Sequence, residues 1–359
     1  MFEGNCIQVG AGRYHQCHGA IQRLGEEVAT WGKKAYIVTD ETVWGKLEAK
    51  ASDSLKKAGI EFKVDLFTGP STQKSFDLVA ARGQEFGADV FIGMGGGKCI
   101  DIAKGASDVA DKRVITVPTS AATCAAWAIL YVTYGENGGV EKSQFLRHEI
   151  SAVIADLDFI GKDCPYRYLA SGIADAMAKK PEFIFTLLHL EEGMAANAKL
   201  AVTIGDFTWT NYMEKGLKAI EDLKAGKDTP ELDDVICLNV MITGMISDLC
   251  TGGKQLAVAH NYYDAICCLH PEIRKNYLHG EIVGMAIPWQ MAINGASDEE
   301  VQQAKALLKA MDVPTTMKEM GVSYDEAVIK EILDYTHHVT IPDDMELYAK
   351  MKETMSIVM

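Results

Sequence analysis

Basic residues are in short supply: 35 Lys and Arg against 50 Asp and Glu leave a formal charge of −15 over 359 residues. A nucleic-acid partner is disfavoured, because phosphate binding needs a basic footprint. A disulfide framework is missing too. The nine cysteines are an odd number with no C-x-x-C pair, and a chain of this length does not need staples, so reduced thiols are expected. Only one uncharged stretch is long enough to suggest a membrane. It runs 22 residues from Val114 to Gly135, but it carries Pro118 and several Thr and follows a strand-like run. It is therefore read as buried loop and strand, with no membrane partner. The opening MFEGNCIQVG has no basic segment followed by an apolar one, so a cytoplasmic protein without a cleaved leader is expected. Repeats, charge blocks and low-complexity linkers are absent.

What is present is ordinary globular material, 48% hydrophobic and 24% charged. At about 100–200 residues per domain, this length suggests two. Up to about residue 155, short β-branched runs alternate with helical patterns: Ala35–Thr39, Phe62–Phe67, Asp89–Gly93, Arg113–Val117 and Ala152–Ala155. Between them, helical stretches such as Trp44–Ala58 and Gln73–Phe86 are closed by Gly59 and Gly87. This alternation predicts an α/β unit with a parallel sheet. After Asp156 helical periodicity dominates, starting near Cys164-Pro165, with capping boxes at Ser297/Glu300 and Ser323/Glu326. The expected division is residues 1–158, an α/β domain, and 159–359, an all-helical domain. A cleft between two such domains is a common place for a ligand.

The run DVFIG leads straight into Gly93-Met94-Gly95-Gly96-Gly97-Lys98, and then Cys99-Ile100-Asp101 opens a helix. Glycines after a strand let backbone pack against a pyrophosphate, and the next helix points its N-terminus at the anion. A Walker A loop would need Gly in place of Ile92 and Ser or Thr in place of Cys99. Asp40 closes an earlier strand, where a carboxylate would accept from a ribose diol and repel a 2′-phosphate, favouring NAD over NADP. An N-cap for the following helix is the other reading of Asp40. Gly10-Ala11-Gly12 lacks a third glycine at dinucleotide spacing and is read as a turn.

In the helical half, Asp175 lies in LASGIADAMAKK, His260 in AVAHNYYDA and His279 in LHGEIVG. Two imidazoles and one carboxylate would leave an open position on a divalent metal, where an alcohol becomes more acidic. His15, His18, His148, His189, His270, His337 and His338 compete for that role on composition alone.

The segments GMGGGKCIDIAK, VPTSAATCAAWAILYVTY, LASGIADAMA, AVAH and LHGEIVG, in that order, resemble those of the iron-containing alcohol dehydrogenase family, in its glycerol dehydrogenase-like group. The resemblance covers most of the chain. It implies a Rossmann-like dinucleotide-binding domain over residues 1–158, an all-helical metal and substrate domain over 159–359, a metal-dependent, NAD(P)-linked oxidoreductase and a homo-oligomer. It also implies zinc or iron at Asp175, His260 and His279 as metal ligands and catalytic residues. Nucleotide contacts fall on Asp40, Gly95, Gly96, Gly97, Lys98, Asp101, Thr119, Leu130 and Tyr134. Three positions depart from the glycerol dehydrogenases. Cys124 stands where they carry an Asp that contacts glycerol, Tyr263 replaces a second His, and Lys179-Lys180-Pro181 replaces aromatic residues. The run AATCAAW and Lys179 resemble a hydroxycarboxylate dehydrogenase branch, which makes Cys124 and Lys179 the expected substrate residues. Lys179, one turn after Asp175, reads as a cation for a substrate carboxylate or as a solvated ion pair. A dehydroquinate synthase-like cyclase is the rival. It would need clustered cations, and the chain offers Lys179, Lys180, Arg274 and Lys275.

Overall fold

A computed structural model describes residues 8–135, 139–189, 195–250, 257–323 and 325–359; Cys6 and the first residues of the opening segment lie outside them. The strands are β1 (Tyr14–Cys17), β2 (Lys34–Thr39), β3 (Glu61–Leu66), β4 (Val90–Gly95), β5 (Arg113–Pro118), β6 (Leu130–Tyr134), β7 (Val140–Phe145) and β8 (Ala152–Asp156). Helices α1 (Leu24–Ala29), α2 (Glu41–Lys57), α3 (Gln73–Phe86) and α4 (Gly97–Ala110) alternate with them. Six strands form a parallel sheet in the order β1-β8-β5-β4-β2-β3, while β6 and β7 pair antiparallel as a hairpin. Every residue of β4 and β8 is buried, as expected of parallel strands covered on both faces. The uncharged stretch is β5, a loop and β6, and no helix among the described residues is long and apolar enough to cross a membrane.

The sheet order reverses between β2 and β4, so the crevice outside the carboxyl ends of these two strands is where an α/β sheet takes its ligand. Asp40 and the glycine loop stand at those two ends. Two elements escape the sequence reading: β1, a four-residue strand at the sheet edge, and β7, the exposed second strand of the hairpin.

After β8 the described chain is helical: α5 (Tyr166–His189), α6 (Ala196–Lys224), α7 (Pro230–Cys237), α8 (Thr243–Leu249), α9 (Ala259–Leu269), α10 (His279–Ile293), α11 (Asp298–Ala310), α12 (Glu326–Thr340) and α13 (Met345–Thr354). The Ser297/Glu300 capping box forms as expected. The Ser323/Glu326 box does not. Asp325 caps α12 instead, accepting from Val328 N–H at 3.1 Å, because the helix begins one residue after it. One apolar core covers a face of the sheet, through Tyr36, Phe91 and Val114, and continues into the helical half around Trp289 and Tyr262. A second core lies on the other sheet face beneath α1 and α2.

Helices α5 and α10 carry Asp175 and His279, and they touch at backbone distance. A Cβ on Gly280 would sit 1.8 Å from the carbonyl oxygen of Ser171, with no flexible side chain to give way. Glu281 caps the start of α10 through Leu278 N–H at 2.7 Å, and Arg167 at the start of α5 holds the same carboxylate at 2.5 and 2.6 Å. Gly280→Ala is therefore expected to lower stability by about 1–3 kcal/mol, the usual cost of overpacking, and to weaken metal binding as α10 is pushed off α5. Denaturant unfolding and zinc titration check this, and a variant matching wild type in both would show that the close approach is dispensable.

Candidate metal and dinucleotide site

The ligand atoms of Asp175, His260 and His279 lie within 4.8 Å of one another, the one such cluster of His, Cys, Asp or Glu among the described residues. Asp175 Oδ1 is 3.2 Å from Nε2 of each histidine. The edge of a tetrahedral zinc site with bonds near 2.0–2.1 Å is roughly 3.3 Å, so the spacing fits a divalent cation and the two-nitrogen, one-oxygen donor set suits zinc or iron. The other histidines go elsewhere: His15 to Glu27, His18 to Asp158, His148 to Asp111, His189 to a backbone carbonyl and His337 to the Asp344 carbonyl. His270 faces Glu272, and His338 is on the surface.

Asp175 is buried, which would raise its pKa, but His279 and His260 hold it well below the usual carboxylate range. Burial would lower the pKa of His260, yet the Glu182 carboxylate outweighs it and pushes the imidazole up to about 9. Sequence reasoning missed Glu182. Fully buried on α5, it accepts from His260 Nδ1 at 2.7 Å and from His260 N–H at 3.0 Å. In Lys-Lys-Pro-Glu it reads as a helix interruption. Only the i, i+7 spacing from Asp175 hinted at a shared face.

In the sheet half, Gly95 has φ +148° and its Cβ position is 3.0 Å from Cys99 Cβ, so the loop needs glycine there. No atom lies within 4 Å of a Cβ placed on Gly96. Gly96 is also the N-cap of α4 and gives no side-chain cap, so the first N–H groups of the helix stay open to an anion. Lys98 is exposed beside them. Of the two readings of Asp40, the helix cap is present. Oδ1 caps α2 by accepting from Val43 N–H at 2.9 Å, while Oδ2 faces the loop, 3.9 Å from Cys99 Sγ. Thr119 N–H donates to the Gly95 carbonyl at 3.1 Å. Asp101 is placed differently from the loop residues. It is buried beneath the hairpin, where burial pushes its carboxyl up to about 7 against the pull of Lys104 and the Val132 N–H.

Residues 119–134 run from one half-site to the other. Thr123 Oγ1 lies 3.5 Å from a Cβ placed on Gly97. Its neighbour Cys124 faces Ser247 Oγ at 3.7 Å, and burial and the Asp175 charge push its thiol up to about 11. Lys179 lies in the same electrostatic neighbourhood as Cys124, Asp175 and Glu182. Burial lowers its pKa, but the carboxylates of Glu182 and Asp175 more than offset this. It forms no ion pair with a described residue. Lys180, by contrast, pairs with Asp206 at 3.2 Å over the Trp209 ring. Tyr134, at the end of β6 with Leu130 at its start, hydrogen-bonds Tyr263, which packs edge-on against His279 at 4.2 Å; Arg274 stacks over Tyr134 at 4.7 Å.

The segment is gripped from below. Lys104 on α4, fully buried, donates to the carbonyls of Ala125, Ala128 (2.6 Å) and Leu130 (2.9 Å). From the helical half, Asn239 donates to the Ala121 carbonyl at 2.8 Å and to Leu169 on α5 at 3.2 Å. Neither residue stands out in the sequence, since both act on backbone far away along the chain.

The profile described as iron-containing alcohol dehydrogenase matches residues 11–159. Glycerol dehydrogenase of Pseudomonas putida is 28% identical over 88% of this chain and 85% of its own length. Hydroxycarboxylate dehydrogenase A of Escherichia coli is 28% identical over 67% of this chain and 66% of its own. Among solved structures, a probable glycerol dehydrogenase from Sinorhizobium meliloti superposes with a TM-score of 0.84 at 22% identity, covering 98% of this chain and 99% of that one. The matched profile over residues 11–159, the relatives spanning both halves and the shared fold all make the chain similar to the iron-containing alcohol dehydrogenases.

Proposed function

We propose that this protein is a metal-dependent, NAD-linked oxidoreductase that moves hydride between a nicotinamide and a small 2-hydroxy acid or its 2-oxo counterpart. The observation that carries this reading is the segment 119–134, which touches the glycine loop through Thr123 and presents Cys124 toward Asp175 and Lys179. A substrate seated on Cys124 lies between the dinucleotide crevice and the ligand triad. When held by Asp175, His260 and His279, a divalent cation, zinc or iron, supplies Lewis acidity to a hydroxyl or carbonyl oxygen.

The chain's own groups do the positioning. The open N–H groups at the start of α4, with Lys98, receive the pyrophosphate. Asp40 Oδ2 accepts from a ribose diol, and Thr119, Leu130 and Tyr134 flank the nicotinamide half. Asp101 supports β6 from beneath through Val132. Lys179 meets the substrate carboxylate, while Cys124, a neutral thiol at physiological pH, neither repels that charge nor anchors a polyol as a carboxylate would.

The test is to supply polyols and 2-hydroxy acids with NAD to metal-loaded and chelator-treated protein and follow NADH absorbance. Net NADH should accumulate only in the loaded protein. A cyclase returns its hydride and would show none. NAD should be preferred over NADP, because Asp40 repels a 2′-phosphate. Asp40→Gly should move that preference toward NADP by roughly 1–3 kcal/mol, with some loss of stability from the lost cap. An unchanged NAD/NADP ratio would leave Asp40 as a cap alone.

A further inference from the structure

Glu182 makes two hydrogen bonds through one oxygen, and both come from the same residue. Its Oε1 accepts from His260 N–H at 3.0 Å and from the ring Nδ1 at 2.7 Å. The side chain is fully buried, and Oε2 has no hydrogen-bond partner among the described residues. A buried carboxylate with one orphaned oxygen is costly, so its retention needs a reason beyond packing.

The chemistry of the acceptor supplies one. An ionised carboxylate only accepts, so Nδ1 of His260 must carry a proton. In the neutral ring that leaves Nε2 as a lone pair, and Nε2 is the atom 3.2 Å from Asp175 Oδ1. Two acceptors facing each other at that distance repel, unless a cation or a proton lies between them. The backbone contact from the same oxygen fixes where His260 enters α9, so one carboxylate sets both the ring's position and its tautomer. The charges around the site include Asp175, Glu182 and Lys179, with Asp264 also acting on both histidines.

We propose that Glu182 is a positioning residue for the metal site: it locks His260 with Nε2 directed at the metal position and strengthens that nitrogen as a donor. The proposal rests on the metal reading given above. Histidine ligands whose other nitrogen bonds a carboxylate typically lose about 10–100-fold in metal affinity when that partner is removed. Pro181, whose carbonyl accepts from Asn294 Nδ2 at 2.7 Å, immediately precedes Glu182 and helps fix its place on α5.

The test measures zinc affinity by chelator competition in wild type, Glu182→Gln and Glu182→Leu, alongside thermal unfolding of each metal-free protein. Glu182→Gln keeps an accepting oxygen and loses the charge, so about a tenfold loss of zinc affinity is expected; Glu182→Leu should lose more, within about 100-fold. In 15N-histidine-labelled zinc protein, the His260 Nδ1–H signal should persist in wild type and Glu182→Gln and shift or vanish in Glu182→Leu. A purely structural role would lower the unfolding temperature and leave zinc affinity unchanged. Affinity within about twofold of wild type in Glu182→Gln overturns the proposal, even if the leucine variant fails to fold. A wild type that binds no zinc or ferrous iron overturns the metal reading itself, a separate outcome.

Discussion

Replacing His260 or His279 with alanine is expected to remove the metal and lower kcat/KM about a thousandfold or more, while the fold persists. The size follows from the chemistry. Polarising the reacting oxygen is worth several kcal/mol, and about 4 kcal/mol is a thousandfold at roughly 1.4 kcal/mol per decade. The two variants differ in a useful way. His279 is a third exposed, and its loss leaves the α10 start still capped by Glu281. His260→Ala also strips Glu182 of its ring partner, so it should cost about 1–3 kcal/mol more stability. Metal content by elemental analysis, circular dichroism and NADH formation would be measured together. Activity surviving in a metal-free variant would remove the triad from the mechanism.

The second large effect concerns the substrate. Lys179→Ala should lower kcat/KM for 2-hydroxybutyrate by about 10–100-fold, matching the roughly 1.5–3 kcal/mol of a charged hydrogen bond, and should leave the lower activity on glycerol almost unchanged. Cys124→Asp should act from the other side. It places a negative charge beside Asp175 and where the acid's carboxylate would lie, and it restores a hydroxyl acceptor, so the preference should move toward glycerol. Wild type that favours glycerol, or equal losses on both substrates in Lys179→Ala, would rule out the hydroxy-acid reading and leave Lys179 as a support for Glu182.

The parts of this molecule that could be read in advance are those whose physics is local. The β4 run and Ala152–Ala155 of β8 are apolar because both sheet faces are covered, and the glycine loop follows β4 directly, so strand, turn and helix start are written in adjacent residues. The segment from Lys142 to Phe145 was not legible, because an exposed hairpin strand has no buried face to impose alternation. In β1, YHQC carries the same difficulty at a sheet edge. In VSYDEAV, Ser323 and Asp325 offer overlapping start signals, and only the geometry chose between them. The candidate metal ligands were placed by resemblance, since nine histidines gave composition no way to choose. Glu182, Asn239 and Lys104 stayed hidden because each acts on partners whose distance in space is unrelated to their distance in sequence.

The grip of Lys104 on three carbonyls bears on how such an enzyme can change its diet. The path of the chain around Cys124 is set by an ammonium beneath it and an amide beside it, both bonding to main chain rather than to the loop's side chains. Side chains at the crest of that loop can then be exchanged without moving the backbone that carries them. A carboxylate could be exchanged for a thiol at position 124 while the crevice beside the glycine loop and the triad stay in register.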